Sequence, residues 1–140
     1  MDKDYQLNEQ KMLKPSNKSG LNHYIKATGY SLKGLQAAWK NEYAFRVEVR
    51  LLVVFIPTAL LLGQNALERA TLLLPLFLII IAELTNSALE ALCDRISLET
   101  HPLAGQAKDI GSAIVFVALI TTICIWLLFI YERLNPLFTS

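Results

Sequence analysis

The sequence predicts an all-α membrane protein: three transmembrane helices preceded by an amphipathic helix that lies on the membrane surface. Three observations carry that expectation. Apolar residues make up 54% of the 140-residue chain, and mean hydropathy is positive, unlike most soluble domains. Long hydrophobic runs recur in the region after Arg50. Nine of the thirteen Lys and Arg lie at or before Arg50, so a formal net charge of +1 hides a polarised distribution that turns the amino-terminal third toward an anionic surface.

Residues 1–21 are expected to form a polar, disordered tail, since 1–20 are rich in lysine and acids, contain Pro15 and close on Ser-Asn-Lys-Ser-Gly. This stretch has no apolar core of a signal peptide, so insertion is expected to depend on the later segments. Over 22–46, Ile25, Leu32, Leu35, Trp39 and Tyr43 recur at steps of seven, three, four and four, with Lys26, Lys33 and Lys40 tracking one position behind Ile25, Leu32 and Trp39. Such a helix can lie on a membrane with Trp39 near the headgroups and its lysines reaching phosphates. Amphipathicity alone also fits a helix of a soluble bundle.

The spans are expected at about 47–64, 70–93 and 110–131, joined into one membrane domain that runs from residue 22 to 140. The first has an uncharged run of thirteen residues, 51–63, and needs Val47 to Arg50 to cross, which brings in Glu48 and Arg50. The second is interrupted by Glu83 and Glu90, whereas the third has no formal charge. Pro57 and Pro75 are tolerable where neighbouring helices satisfy the freed carbonyls. The basic residues place the amino terminus and the 94–109 loop in the cytoplasm, with a short external turn at 64–69 and the carboxy terminus outside. Cys93 and Cys124 form no CxxC pair and are expected to pack in apolar surroundings.

Chemistry concentrates in the second span. Glu83, Asn86, Glu90 and Asp94 are spaced by three, four and four and therefore share one helix face. An ionised carboxylate at membrane depth costs on the order of 3 kcal/mol, so such a stripe faces a protein interior and marks a site, unless it serves only as a hydrogen-bond network between helices. Taking Asp94 as the inner surface, Glu90 lies roughly 6 Å and Glu83 roughly 16 Å along the helix from it. The shallower acid suits magnesium and ATP phosphates, and the deeper one suits a lipid hydroxyl that cannot leave the membrane. Gly29 and Gly34 have the gap of a P-loop, but Leu35 and Gln36 follow where Lys and Ser or Thr are needed; protein-kinase signatures are absent too. Lys108 and Asp109 could hold a phosphate and its metal, or simply mark a helix boundary.

Several blocks resemble those of prokaryotic diacylglycerol kinases, in order and with the expected gaps: Lys26-Ala-Thr-Gly-Tyr-Ser31, Gly34-Leu-Gln-Ala-Ala-Trp39, Asn41-Glu-Tyr-Ala-Phe-Arg46, Glu83-Leu-Thr-Asn-Ser-Ala-Leu-Glu90 and Ala107-Lys-Asp-Ile-Gly-Ser112. The resemblance implies a homotrimer in the bacterial inner membrane that transfers the γ-phosphate of Mg-ATP to diacylglycerol, giving phosphatidic acid. It implies Glu83 as proton acceptor and Glu42 with Glu90 as ligands of Mg2+. Asn86, Lys108 and Asp109 would surround the phosphates, Glu99, Thr100 and His101 would contact the nucleotide, and Tyr30 would flank it. His23, standing where the best-known members have arginine, joins these contacts, while Phe45, Arg46, Glu48 and Ser112 would border the lipid. Leu32 replaces a tryptophan, and Gln36 and Gln106 replace arginines. No nucleic-acid partner is expected. Two rivals stand beside this reading: an undecaprenol kinase using the same acids, and a non-catalytic membrane protein whose acidic stripe is an ion path.

Overall fold

The computed structural model describes residues 20–96 and 101–138, so the expected tail lies almost wholly outside the described residues. The described residues form four helices and no strand: α1 (Gly20–Asn41), α2 (Tyr43–Leu62), α3 (Ala66–Ile96) and α4 (Pro102–Phe138). Met1–Gln36 and Ala37–Ser140 make two compact units. In the first, α1 leaves Ile25, Leu32 and Leu35 exposed.

In the second unit the expected surface helix stops earlier than its periodicity suggests, because Glu42 is extended (φ −101°, ψ 118°) and separates α1 from α2. The break would leave the carbonyls closing α1 without partners. Arg46 reaches back to take two of them, its Nη1 donating to Trp39 O at 2.9 Å and to Lys40 O at 3.1 Å. Its guanidinium also lies 5.8 Å from the centre of the Tyr43 ring, so one cation fastens both sides of the break.

The turn into α3 is held by reciprocal caps. Glu68 accepts from Gln64 N at 2.8 Å and Asn65 Nδ2 at 2.7 Å, and Asn65 Oδ1 accepts from Glu68 N at 2.9 Å. Gly63 is required for space rather than for an unusual φ: an added Cβ would lie 2.6 Å from Arg69 Cγ and 2.9 Å from Arg69 N. That closeness lets Arg69 Nε donate to Gly63 O at 3.0 Å.

Helices α3 and α4 supply the main packing. Ala59, Leu72, Leu76 and Trp126 form one buried cluster, and Ile79, Ala82 and Ala118 form another. The alanines let the two backbones approach closely, the usual basis of helix association in lipid. Around Pro75, which cannot donate to the helix ladder, α4 adds two bonds: Trp126 Nε1 to Leu72 O at 3.2 Å and Thr122 Oγ1 to Pro75 O at 3.1 Å.

Two segments are long and apolar enough to cross a membrane, Ala66–Arg95 and Pro102–Asn135. The 31 residues of α3 and 37 of α4 correspond to about 46 and 55 Å. Both exceed a hydrocarbon core of about 30 Å. The expected 94–109 loop is therefore mostly helical: α3 continues to Ile96, and α4 already starts at Pro102. Proline at the first helical position needs no N–H partner, and His101 caps the helix by accepting Leu103 N–H on Nδ1 at 3.2 Å. Cys93 is half-buried, whereas Cys124 is exposed within this chain instead of packing inside it.

Candidate functional site

The stripe predicted on the second span exists on α3, and its burial falls steadily along the helix. Glu83 is only 4% exposed, Asn86 and Glu90 are half-buried, and the Asp94 side chain is 69% exposed. A row of polar groups thus runs from the interior of the second unit to its surface. Ser87 and Thr85 satisfy their own hydroxyls on the carbonyls of Glu83 and Ile81, at 2.9 and 2.8 Å, so they do not compete for the carboxylates.

Glu42 in the break between α1 and α2, Glu48 on α2 and Glu90 on α3 lie close enough to Glu83 for charge to be felt between them. The charges of Glu42 and Glu90 reach it, and its own charge reaches Glu48 on α2. Glu42 contributes because the α1–α2 break puts it there with a side chain that makes no capping bond. Asn86 Nδ2 donates to Glu90 Oε1 at 3.0 Å, which fixes how that carboxylate faces. The three half-buried carboxylates repel that of buried Glu83, and a bound cation would offset the repulsion.

No group of three or more His, Cys, Asp and Glu able to enclose a metal ion occurs among the described residues. The donor set is nonetheless suited to magnesium, which prefers hard oxygen ligands and is commonly held by one or two carboxylates together with substrate phosphates. Glu90, whose Oε1 accepts from Asn86, and Glu42, whose side chain makes no capping bond, are the carboxylates that could hold it.

At the exposed end of the stripe, Lys108 of α4 meets Asp94 of α3, Nζ to Oδ1 at 2.6 Å. Asp109 and Ser112 lie on the same helix and are exposed. His101 is exposed, with its Nδ1 engaged as the α4 cap. Glu99 and Thr100 lie outside the described residues. His23 and Tyr30 belong to the first unit and are exposed on α1.

Next to the stripe, Glu48 stands at the wall of an otherwise apolar cleft of ≈ 240 Å³, lined by Phe55, Leu76, Ile79, Thr122, Ile123 and Trp126 among others. Phe55 meets Trp126 edge to face with ring centres 5.0 Å apart. Glu48 Oε2 is buried and has no hydrogen-bond partner. A buried carboxylate oxygen left unpaired is costly, and it is suited to accept from the hydroxyl of an amphipathic ligand whose chain occupies the cleft. Phe45 is buried nearby in sequence, and Arg46 is committed to the end of α1. Phe55, Thr122 and Trp126 were not among the expected site residues: they are apolar or singly polar positions of different helices, and only packing brings them together.

Comparison with known proteins gives a consistent picture. A family model described as prokaryotic diacylglycerol kinase matches residues 29–130. The chain is 43% identical over 118 residues to the diacylglycerol kinase of Escherichia coli (strain K12), a match covering 84% of this chain and 97% of that protein. It is 51% identical over 108 residues to the diacylglycerol kinase of Pseudomonas aeruginosa, covering 77% and 88%. It is 41% identical over 112 residues to the diacylglycerol kinase of Helicobacter pylori (strain 26695), covering 80% and 88%.

Proposed function

Because the chain belongs to the prokaryotic diacylglycerol kinase family, we propose that it is a membrane kinase that moves the γ-phosphate of ATP onto the free hydroxyl of diacylglycerol, producing phosphatidic acid and ADP. The observation that carries the reading is the Glu83 to Asp94 stripe, buried at one end and open at the other, beside an apolar cleft that contains one unpaired carboxylate oxygen.

In this reading the acyl chain fills the cleft lined by Leu76, Ile79 and Ile123, with the Phe55–Trp126 pair in its wall, and Glu48 orients the glycerol end. The lipid oxygen attacks the γ-phosphorus and its proton passes to the Glu83 carboxylate. The bond between that phosphorus and the bridging oxygen of ADP breaks, and the electron pair leaves with ADP. Such a transfer mainly requires alignment and neutralisation of charge. Glu42 and Glu90 would hold magnesium, which supplies neutralisation of the phosphate charge. Lys108 exchanges Asp94 for a phosphate oxygen, Asp109 and Asn86 border the phosphates, and Glu99, Thr100 and His101 contact the nucleotide. Arg46, Phe45 and Ser112 shape the lipid side.

We read α2 as a third span beside Ala66–Arg95 and Pro102–Asn135, with Arg46, Glu48 and Arg50 near its cytoplasmic end, and α1 as the surface helix. The amino terminus is then cytoplasmic, in a bacterial inner membrane. A homotrimer suits the exposed apolar side chains of α4, among them Phe116, Val117 and Ile120. Mixed micelles of the purified protein with labelled ATP and either diacylglycerol or undecaprenol test the substrate. Label in phosphatidic acid supports this reading; label only in undecaprenyl phosphate assigns the other acceptor, and no ATP-dependent labelling rejects a kinase.

A further inference from the structure

We propose that Gly111 is a positioning residue, whose missing side chain gives the Asn86 amide the room from which it holds Glu90. Gly111 is buried on α4, and a Cβ built there would run into Asn86 Oδ1 and meet Asn86 Cγ and Leu89 Cδ1, each at 3.4 Å. Glycine is not needed there for backbone reasons. No described glycine has a positive φ, and in a helix interior alanine is the better residue. Gly29, Gly34 and Gly105, also within helices, have nothing within 4 Å of an added Cβ, so of these four the tight fit belongs to Gly111 alone.

The Asn86 amide has one orientation that works. Its Nδ2 donates to Glu90 Oε1 at 3.0 Å, and reversing it would turn an oxygen toward a carboxylate. Oδ1 must therefore point the other way, toward Gly111, where it is buried with no hydrogen-bond partner. A methyl group on residue 111 would push that oxygen aside, rotate the amide and break the bond to Glu90. A carboxylate that loses the donor orienting it binds a metal ion less well, commonly by ten- to a hundredfold.

The magnesium part rests on the reading of Glu90 as a metal ligand; the contact between residues 86 and 111 does not. Gly111→Ala should therefore raise the magnesium concentration for half-maximal activity by roughly tenfold or more, while Gly105→Ala leaves it unchanged. Independently of activity, Gly111→Ala should lower the thermal midpoint in the wild-type background and lose that effect when Asn86→Ala removes the obstructed oxygen. A Gly111→Ala protein that fails to fold, but folds with Asn86→Ala, supports the proposal in the same way. An unchanged magnesium requirement in Gly111→Ala, with Glu90→Gln raising it, overturns the proposal. So does an equal loss of stability, or failure to fold, in both backgrounds. If Glu90→Gln itself leaves the magnesium requirement unchanged, the metal reading fails and the thermal comparison alone decides on Gly111.

Discussion

Lys108 Nζ lies 2.6 Å from Asp94 Oδ1, tying α4 to the exposed end of the acidic stripe one turn beyond Glu90. Both side chains are well exposed, 41% and 69%, so the pair adds little to stability, and its lysine is free to change partners when a polyphosphate arrives. Lys108→Met should raise KM for ATP on the order of tenfold, the effect of losing one charged hydrogen bond. Asp94→Asn should move it far less, because the nucleotide replaces Asp94 as the partner. Steady-state kinetics at saturating lipid check both, and equal effects of the two substitutions would show that the pair matters as a helix tie.

Glu90→Gln and Glu42→Gln should weaken use of magnesium, since a neutral amide is a poorer ligand for a hard cation than a carboxylate. Activity titrated against magnesium should shift to higher concentration in both variants, with much of the rate returning at saturation. A loss that no concentration of magnesium restores would remove these residues from the metal site.

The stripe from Glu83 to Asp94 was legible in the sequence because residues three and four apart on a helix must share a face, whatever surrounds it. The runs that became α3 and most of α4 were legible for the same local reason. The break at Glu42 was not: Asn41-Glu42-Tyr43 contains neither Gly nor Pro, and what makes the break tolerable is Arg46 reaching back to Trp39 and Lys40. The early start of α4 is not legible because the uninterrupted apolar run begins only at Ile110, after the charged Lys108 and Asp109, although Pro102 at the first helical position is a start signal. The cleft and the Gly111–Asn86 contact depend on side chains from separate helices, which no spacing along the chain reveals.

The cleft gives a separate test of lipid binding. Ile123 lines it and is 51% exposed, so a larger side chain there can enter the cleft without rebuilding the core. Ile123→Trp should raise KM for diacylglycerol roughly tenfold, the scale of a few displaced methylenes, and leave KM for ATP unchanged. Kinetics with the lipid varied in mixed micelles would show it, and an unchanged lipid KM would place the acyl chain elsewhere.

Glu83→Gln keeps the volume and hydrogen-bonding capacity of the side chain but removes the proton acceptor, and so tests whether Glu83 is the base. Turnover should fall by about a hundred- to ten-thousandfold, while Mg-ATP binding, measured by calorimetry on the same preparation, and the thermal midpoint stay close to wild type. If turnover, nucleotide affinity and stability fell in parallel, or if added magnesium restored Glu83→Gln but neither Glu90→Gln nor Glu42→Gln, Glu83 would not be the base.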